Sequence, residues 1–133
     1  MAFDLVPARD PRATALVDAT IRTLGAGPLL YRYPPDGRDG FDAGEAPFVP
    51  ASWWAVTALA KLGHPDAQDR ADELCRMLPM LQPEEFDPAR REALGNTPLL
   101  WAHAECTRAL FELDRQRGIT RRLRRVWRRR RSA

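Results

Sequence analysis

Apolar residues recur at helical spacing in four segments of the chain, which predicts four α-helices. In residues 11–24 they return every three or four positions, and Gly25 follows as a stop signal. Residues 51–62 are apolar on nearly all sides, which is typical of a buried helix. Residues 66–80 and 98–113 each begin near a proline and carry one apolar stripe, which in 66–80 comprises Ala67, Ala71, Leu74 and Leu78. In the last helix this stripe comprises Leu99, His103, Cys106, Leu110 and Leu113.

Two long segments, 28–50 and 81–97, interrupt this pattern. They are rich in proline, glycine or charge, and neither contains a convincing strand. Long loops inside a compact domain are usually functional or disordered, and the aromatic residues of the first favour a functional loop. Tight turns and long loops alternate, so the sequence predicts an all-α fold of stacked helical hairpins. Both long loops then lie on one side of the helices.

Composition suits a single domain, but the charge is unevenly placed along the 133 residues. Residues 1–114 carry 11 Lys and Arg against 18 Asp and Glu, a net charge of −7. Residues 115–133 carry ten arginines and no acid, which brings the total to +3. The sequence therefore predicts an acidic body and a separate basic tail. Such a tail is either a solvated end or a weak, non-specific phosphate binder.

The remaining bulk features exclude several classes of protein. No apolar stretch is long enough to span a membrane, and the N-terminus lacks an apolar signal region, which favours a cytoplasmic protein. Cys75 and Cys106 lack metal-type spacing and are interpreted as buried apolar residues. There is no phosphate-binding loop, zinc motif or nucleophile elbow, so neither a cofactor nor a metal is predicted.

Two groups of residues could carry chemistry. Glu84 and Glu85 are adjacent carboxylates in the second loop. Glycosidic chemistry uses two carboxylates that face each other across a bond, and sequence neighbours rarely do so, which leaves a solvated loop as the alternative. Arg32 lies between Tyr31 and Tyr33 and is suited either to holding a sugar or to anchoring the loop.

Five segments in order carry a family resemblance. They are LVPARDPRATALVDATIRTL at 5–24, LYRYPPD at 30–36, GEAPF followed by SWW within 44–54, EEFDP at 84–88, and LGNTP followed by WAH within 94–103. Together they resemble family 15 glycoside hydrolases, the glucoamylase and trehalase group. The resemblance covers roughly residues 5–113.

The resemblance implies a fold, a mechanism and a site. The family forms an (α/α)6 toroid of six helical hairpins, of which this chain would supply the last two or three, as the C-terminal part of a catalytic domain. Its members invert the anomeric centre of α-glucosides with a general acid and a general base. The base maps onto Glu84, and the acid belongs to an earlier segment of the family. Substrate-binding positions map onto Arg32, Tyr31, Glu45 and Trp53, although packing is the alternative for Trp53.

Three hypotheses follow. The chain is a glycoside hydrolase fragment that works with the missing N-terminal half or a self-associated copy; or it is an inactive, truncated copy; or it is a small helical nucleic-acid-binding module that uses its basic tail. Under the first two, the isolated chain hydrolyses neither maltose nor trehalose. We also expect Arg32, Glu45 and Glu84 to share one surface, the sugar-binding face that the resemblance implies. Glu84 should point into this face, while Glu85 points elsewhere and pairs or is solvated.

Overall fold

The structure, a computed structural model, describes residues 6–35 and 45–130, and the side chains of the last helix as far as Gly118. Asp36 and Gly44 of the motif segments lie outside the described residues. The described chain is mostly helical. Its helices are α1 Ala13–Leu24, α2 Val49–Leu62, α3 Asp66–Met77 and α4 Leu100–Arg130, and its strands are β1 Gly25–Ala26, β2 Leu29–Leu30, β3 Glu85–Asp87 and β4 Glu92–Leu94.

Helix α2 is the centre of the fold. It is buried along most of its length, as its uniformly apolar sequence predicts, and it contacts α1, α3 and α4. Side chains such as Val56 and Leu59 are enclosed by these helices. Each such burial stabilises the fold by about 1.5–3 kcal/mol. The helix ends at Gly63, whose left-handed backbone (φ 67°) lets its N–H reach carbonyls of the last turn.

The flanking helices pack against α2 through narrow stripes. The predicted stripe of α3 is confirmed, because Ala67, Ala71, Leu74 and Leu78 are all buried. In α4 the buried apolar positions are Ala102, Ala109 and Leu113. The predicted inward position of Leu110 is wrong, because this residue is one step of about 100° past Ala109 and is exposed.

Helix boundaries differ from the predicted ones for local reasons. Helix α1 begins at Ala13 and not at residue 11, because the Asp10 side chain accepts a hydrogen bond from the Arg12 backbone N–H in a turn before the helix. Helix α3 ends at Met77 because Leu78 precedes Pro79 and adopts an extended conformation (φ −80°, ψ 145°). Helix α4 continues to Arg130, since arginine favours helix and no proline follows Pro98.

The prediction that no strand forms is wrong. Strands β1 and β2 pair antiparallel around a turn at Gly27, whose φ is 62°. Strands β3 and β4 pair antiparallel, with Phe86 opposite Ala93. The Asp87 carboxylate stabilises the turn between β3 and β4, because it accepts hydrogen bonds from the backbone N–H groups of Ala89 and Arg90. Two or three residues per strand are too few to produce a recognisable alternation in the sequence.

The predicted boundary between body and tail falls within α4, whose backbone is helical on both sides of Asp114. A separate tail and its binding of nucleic acid therefore stay predictions. Among the described helices, none has the length and apolar character needed to cross a membrane. The toroid implied by the resemblance also stays a prediction, since four helices are described.

Truncation after Asp114 should leave the body folded. The buried positions of α4 end at Leu113, and the described interactions lost with Arg115 are its ion pair with Glu112 and the neighbouring Gln116 bond. We expect unchanged helicity per residue over 1–114 and a small fall in melting temperature by circular dichroism. Truncation after Arg108 is the control, because it also removes Ala109 and Leu113 and should unfold the chain. Unfolding by the first truncation would show that the tail is packed structure.

Candidate functional site

The two long loops meet at the N-terminal end of α2. The segment before this helix lies between β2 and the β3–β4 hairpin and forms hydrogen bonds with both. Phe48 N–H donates to the Leu30 carbonyl (2.8 Å), Val49 N–H to the Glu84 carbonyl (2.9 Å), and Phe86 N–H to the Pro47 carbonyl (3.0 Å). We call this region the loop junction. It brings together the predicted site residues of both loops.

Arg32 is the charged centre of the loop junction. Its Nε donates to Glu45 Oε1, and its Nη2 donates to Glu85 Oε1 at 3.1 Å. Its guanidinium carbon lies 5.1 Å from the centre of the Phe48 ring and 5.6 Å from that of Tyr33. The Arg32 side chain is 40% exposed, against 5% for Glu45 and 17% for Glu85. Arg32 therefore anchors the loop and also presents part of its guanidinium to solvent.

Pairing with Arg32 does not offset the cost of burial equally for the Glu45 and Glu85 carboxylates. Burial raises the pKa of Glu85, and attraction to Arg32 lowers it by less; the nearby Glu45 carboxylate raises it further. The hydrogen bond with Glu45 raises the pKa of Arg32, which stays charged. Glu45 Oε2 is buried and has no hydrogen-bond partner among the described residues. Among the described residues, one arginine thus pairs with both carboxylates.

Glu84 has different neighbours from Glu85. Its Oε2 accepts hydrogen bonds from Asn96 Nδ2 (2.7 Å) and from the Asn96 backbone N–H (3.2 Å). The backbone N–H of Glu84 donates to the Asn96 carbonyl at 2.9 Å. Glu85 contacts Arg32, so the prediction that Glu85 points away from the face of Arg32 is wrong. The face into which Glu84 points stays a prediction. Successive side chains of an extended segment point to opposite sides, which accounts for the different neighbours of the two glutamates.

Aromatic side chains border the loop junction. Phe48, Trp54 and Trp101 form a cluster, with ring centroids 5.4–6.3 Å apart. Trp101 is 46% exposed. Tyr31 is half-buried and lines, with Arg32 and Trp54, an apolar groove of about 310 Å³ between α1 and α2. Indole and phenol faces of this kind suit the apolar faces of sugar rings.

Trp53 belongs to the core and not to this surface. It is 0% exposed, and its Nε1 donates to Gln82 Oε1 at 2.8 Å. The packing alternative describes Trp53, and its burial does not support a contact with substrate. The Gln82 backbone N–H in turn donates to His103 Nε2 at 3.1 Å. Gln82 thus connects the start of the second loop to α2 and α4, and His103 has a structural role there.

Sequence reasoning missed Asn96 and the pairing of Arg32 with both Glu45 and Glu85. Asn96 belongs to the quoted LGNTP segment, but an asparagine after a glycine is also an ordinary turn signal. The pairing joins residues 13 and 53 positions apart, and no local pattern encodes such distances. Within residues 6–35 and 45–130, no group of His, Cys, Asp and Glu is arranged to hold a metal ion.

The chain is similar to two curated trehalases. It is 34% identical to the trehalase of Mycolicibacterium smegmatis and 32% identical to that of Mycobacterium tuberculosis, over 117 residues in each case. Each match covers 83% of this chain and 17% of the relative, so the chain spans about a sixth of the length of the proteins it matches. No family model matches the chain. No solved structure matches it either.

Glu85→Gln should change how stability depends on pH. Because the pKa of Glu85 is raised in the folded state, the protonated side chain stabilises the fold. This contribution to the free energy of unfolding is fully present below the ordinary glutamate pKa of about 4.3. It is lost as the pH rises through the pKa that Glu85 has in the folded state. Glutamine keeps an oxygen for Arg32 and has no charge to bury. The stability of the variant relative to the parent should therefore increase between pH 4 and 7 in urea unfolding experiments.

Glu92→Gln is the matched control for this measurement, because Glu92 is an exposed carboxylate on the same hairpin. Its stability difference from the parent should be independent of pH. The opposite trend for Glu85→Gln, a relative loss of stability toward pH 7, would mean that attraction to Arg32 outweighs the cost of burial.

Proposed function

We propose that this chain is the C-terminal part of the catalytic domain of an inverting glycoside hydrolase that acts on α-glucosides, of the glucoamylase or trehalase type. The similarity to two trehalases over most of the chain supports a carbohydrate substrate. The motif segments and the convergence of both long loops on one end of α2 support the location of the site. Glu84 is the proposed general base.

The observation that carries the proposal is the state of the Glu84 carboxylate. Oε2 accepts two hydrogen bonds from Asn96, whereas Oε1 has no hydrogen-bond partner among the residues described. Glu84 is partly exposed, and its hydrogen-bond partner is the polar side chain of Asn96. A general base must be fixed in place and within reach of water. Glu84 meets these two requirements, whereas Glu85 is engaged by Arg32.

The proposed reaction uses Glu84 as the acceptor of one proton. A water held by Oε1 attacks the anomeric carbon while Glu84 takes its proton, and a second carboxylic acid protonates the leaving oxygen. An inverting pair is separated by about 6.5–9.5 Å to admit this water. The second carboxylate would come from another part of the enzyme, since the relatives are about six times longer than their matched segment. Removing a general base typically costs about 10²–10⁴-fold in rate.

Arg32 is the proposed substrate-orienting residue. The hydrogen bonds to Glu45 and Glu85 use Nε and Nη2, so Nη1 is not engaged by either carboxylate. A guanidinium fixed on two sides offers a donor at a defined place for a sugar hydroxyl. The exposed indole of Trp101 and the half-buried Tyr31 would contact the sugar ring beside it.

A chimera tests this proposal. The matching segment of the Mycolicibacterium smegmatis trehalase is replaced by this chain, and trehalose hydrolysis is measured. We expect the isolated chain to hydrolyse neither trehalose nor maltose, and the chimera to hydrolyse trehalose. Glu84→Gln should lower kcat of the chimera about 10²–10⁴-fold, because a glutamine cannot take the proton. Glu92→Gln, on the same hairpin, should leave kcat unchanged.

Two outcomes would contradict the proposal. An active chimera that keeps its rate with Glu84→Gln would remove Glu84 from the mechanism. A folded but inactive chimera would favour the alternative of an inactive, truncated copy, whose loop junction no longer supports catalysis.

A further inference from the structure

Asn96 forms an unusual number of bonds with a single residue. Both its side-chain Nδ2 and its backbone N–H donate to the same oxygen of Glu84, Oε2, at 2.7 and 3.2 Å. Its carbonyl accepts from the Glu84 backbone N–H at 2.9 Å. Asn96 is therefore fixed relative to the Glu84 backbone, and it holds one oxygen of the Glu84 carboxylate by two hydrogen bonds. These bonds lie just beyond the β3–β4 pairing, which ends at Glu85 opposite Leu94.

Gly95 makes this approach possible. Its φ of 68° is in the left-handed region, which favours glycine. A Cβ at position 95 would lie 3.0 Å from both Cβ and Oε2 of Glu84, closer than side chains normally pack. Glycine is thus favoured here both by the backbone turn and by the close passage of the Glu84 side chain.

We propose that Asn96, with Gly95, is the positioning device of the catalytic carboxylate. Asn96 occupies Oε2 of Glu84 with two hydrogen bonds, so Oε1 is the oxygen that remains to bind the attacking water. This inference rests on the proposed function, because it concerns how the proposed base is aimed. It requires the neutral amide at position 96: an aspartate of the same shape would lose the Nδ2 donor and place a second negative charge 2.7 Å from Oε2.

The test uses the full chain and nuclear magnetic resonance, without any turnover. In the parent, the backbone and side-chain amide resonances of Asn96 should shift with pH in step with the carboxyl carbon of Glu84. The two Cγ protons of Glu84 should have distinct chemical shifts, as in a side chain held in one rotamer. Glu84→Gln should abolish the pH response of the Asn96 amides, and Glu85→Gln should preserve it.

Asn96→Asp separates positioning from a merely structural role. It keeps the backbone bonds between residues 84 and 96, so the amides of Phe86 and Ala93 should report an intact hairpin. The Glu84 Cγ protons should nevertheless collapse toward one averaged shift. Distinct chemical shifts of the Glu84 Cγ protons in Asn96→Asp would overturn the inference. So would Asn96 amide resonances in the parent that do not shift when Glu84 titrates.

A pair of glycine variants keeps the inference testable if Asn96→Asp does not fold. Gly95→Ala and Gly63→Ala impose the same backbone strain, at φ values of 68° and 67°, but only the first brings a methyl group against Glu84. Gly95→Ala should lose the coupled Asn96 response, and Gly63→Ala should retain it. Equal behaviour of the two variants would contradict the role of Gly95. These outcomes do not depend on hydrolysis. Failure of the positioning inference is therefore distinguishable from failure of the proposed function, which an active chimera insensitive to Glu84→Gln would show.

Discussion

The backbone hydrogen bonds that clamp the segment before α2 between the two long loops are the constraint on which the candidate site depends. Through them, Pro47, Phe48 and Val49 are fixed to β2 on one side and to the start of β3 on the other. Ser52 reinforces this arrangement from within α2, because its hydroxyl accepts from Leu30 N–H and donates to the Phe48 carbonyl. Without this pairing, Arg32 and Glu85 would belong to unrelated surface loops. With it, residues 53 positions apart in sequence form one site.

The charges at the loop junction follow from that constraint. Bringing the loops together buries Glu45 almost completely and Glu85 largely, which is unfavourable for both carboxylates. Arg32 offsets this cost for both of them, and the rings of Tyr33 and Phe48 hold its guanidinium in place. Glu84 lies outside this cluster and relies on Asn96 instead. The two adjacent glutamates therefore have different environments, one electrostatically committed to Arg32 and the other open to solvent.

Sequence reasoning succeeded where one periodic pattern determined the outcome. The four helices, the burial of α2 and the buried stripe of α3 follow from apolar spacing, and α2 ends at Leu62, before Gly63, as predicted. It failed where local effects determine the end of a helix. Pro79 ends α3 three residues before the predicted position, and the arginines after Asp114 extend α4 beyond it. The candidate site residues Arg32, Glu45 and Glu84 could be named from the motif segments. Their partners could not, because which of Glu84 and Glu85 faces Arg32 depends on the register of a three-residue strand.

The proposal that the loop junction binds an α-glucoside is tested most directly by chemical-shift mapping of the full chain with trehalose. We predict saturable shifts at the amides of Arg32, Glu84 and Asn96, with none around His64 and Asp69 at the far end of α2. Cellobiose, a β-linked disaccharide of the same mass, is the control and should produce no saturable shifts. Shifts confined to the His64 end, or the same shifts with both sugars, would contradict the account.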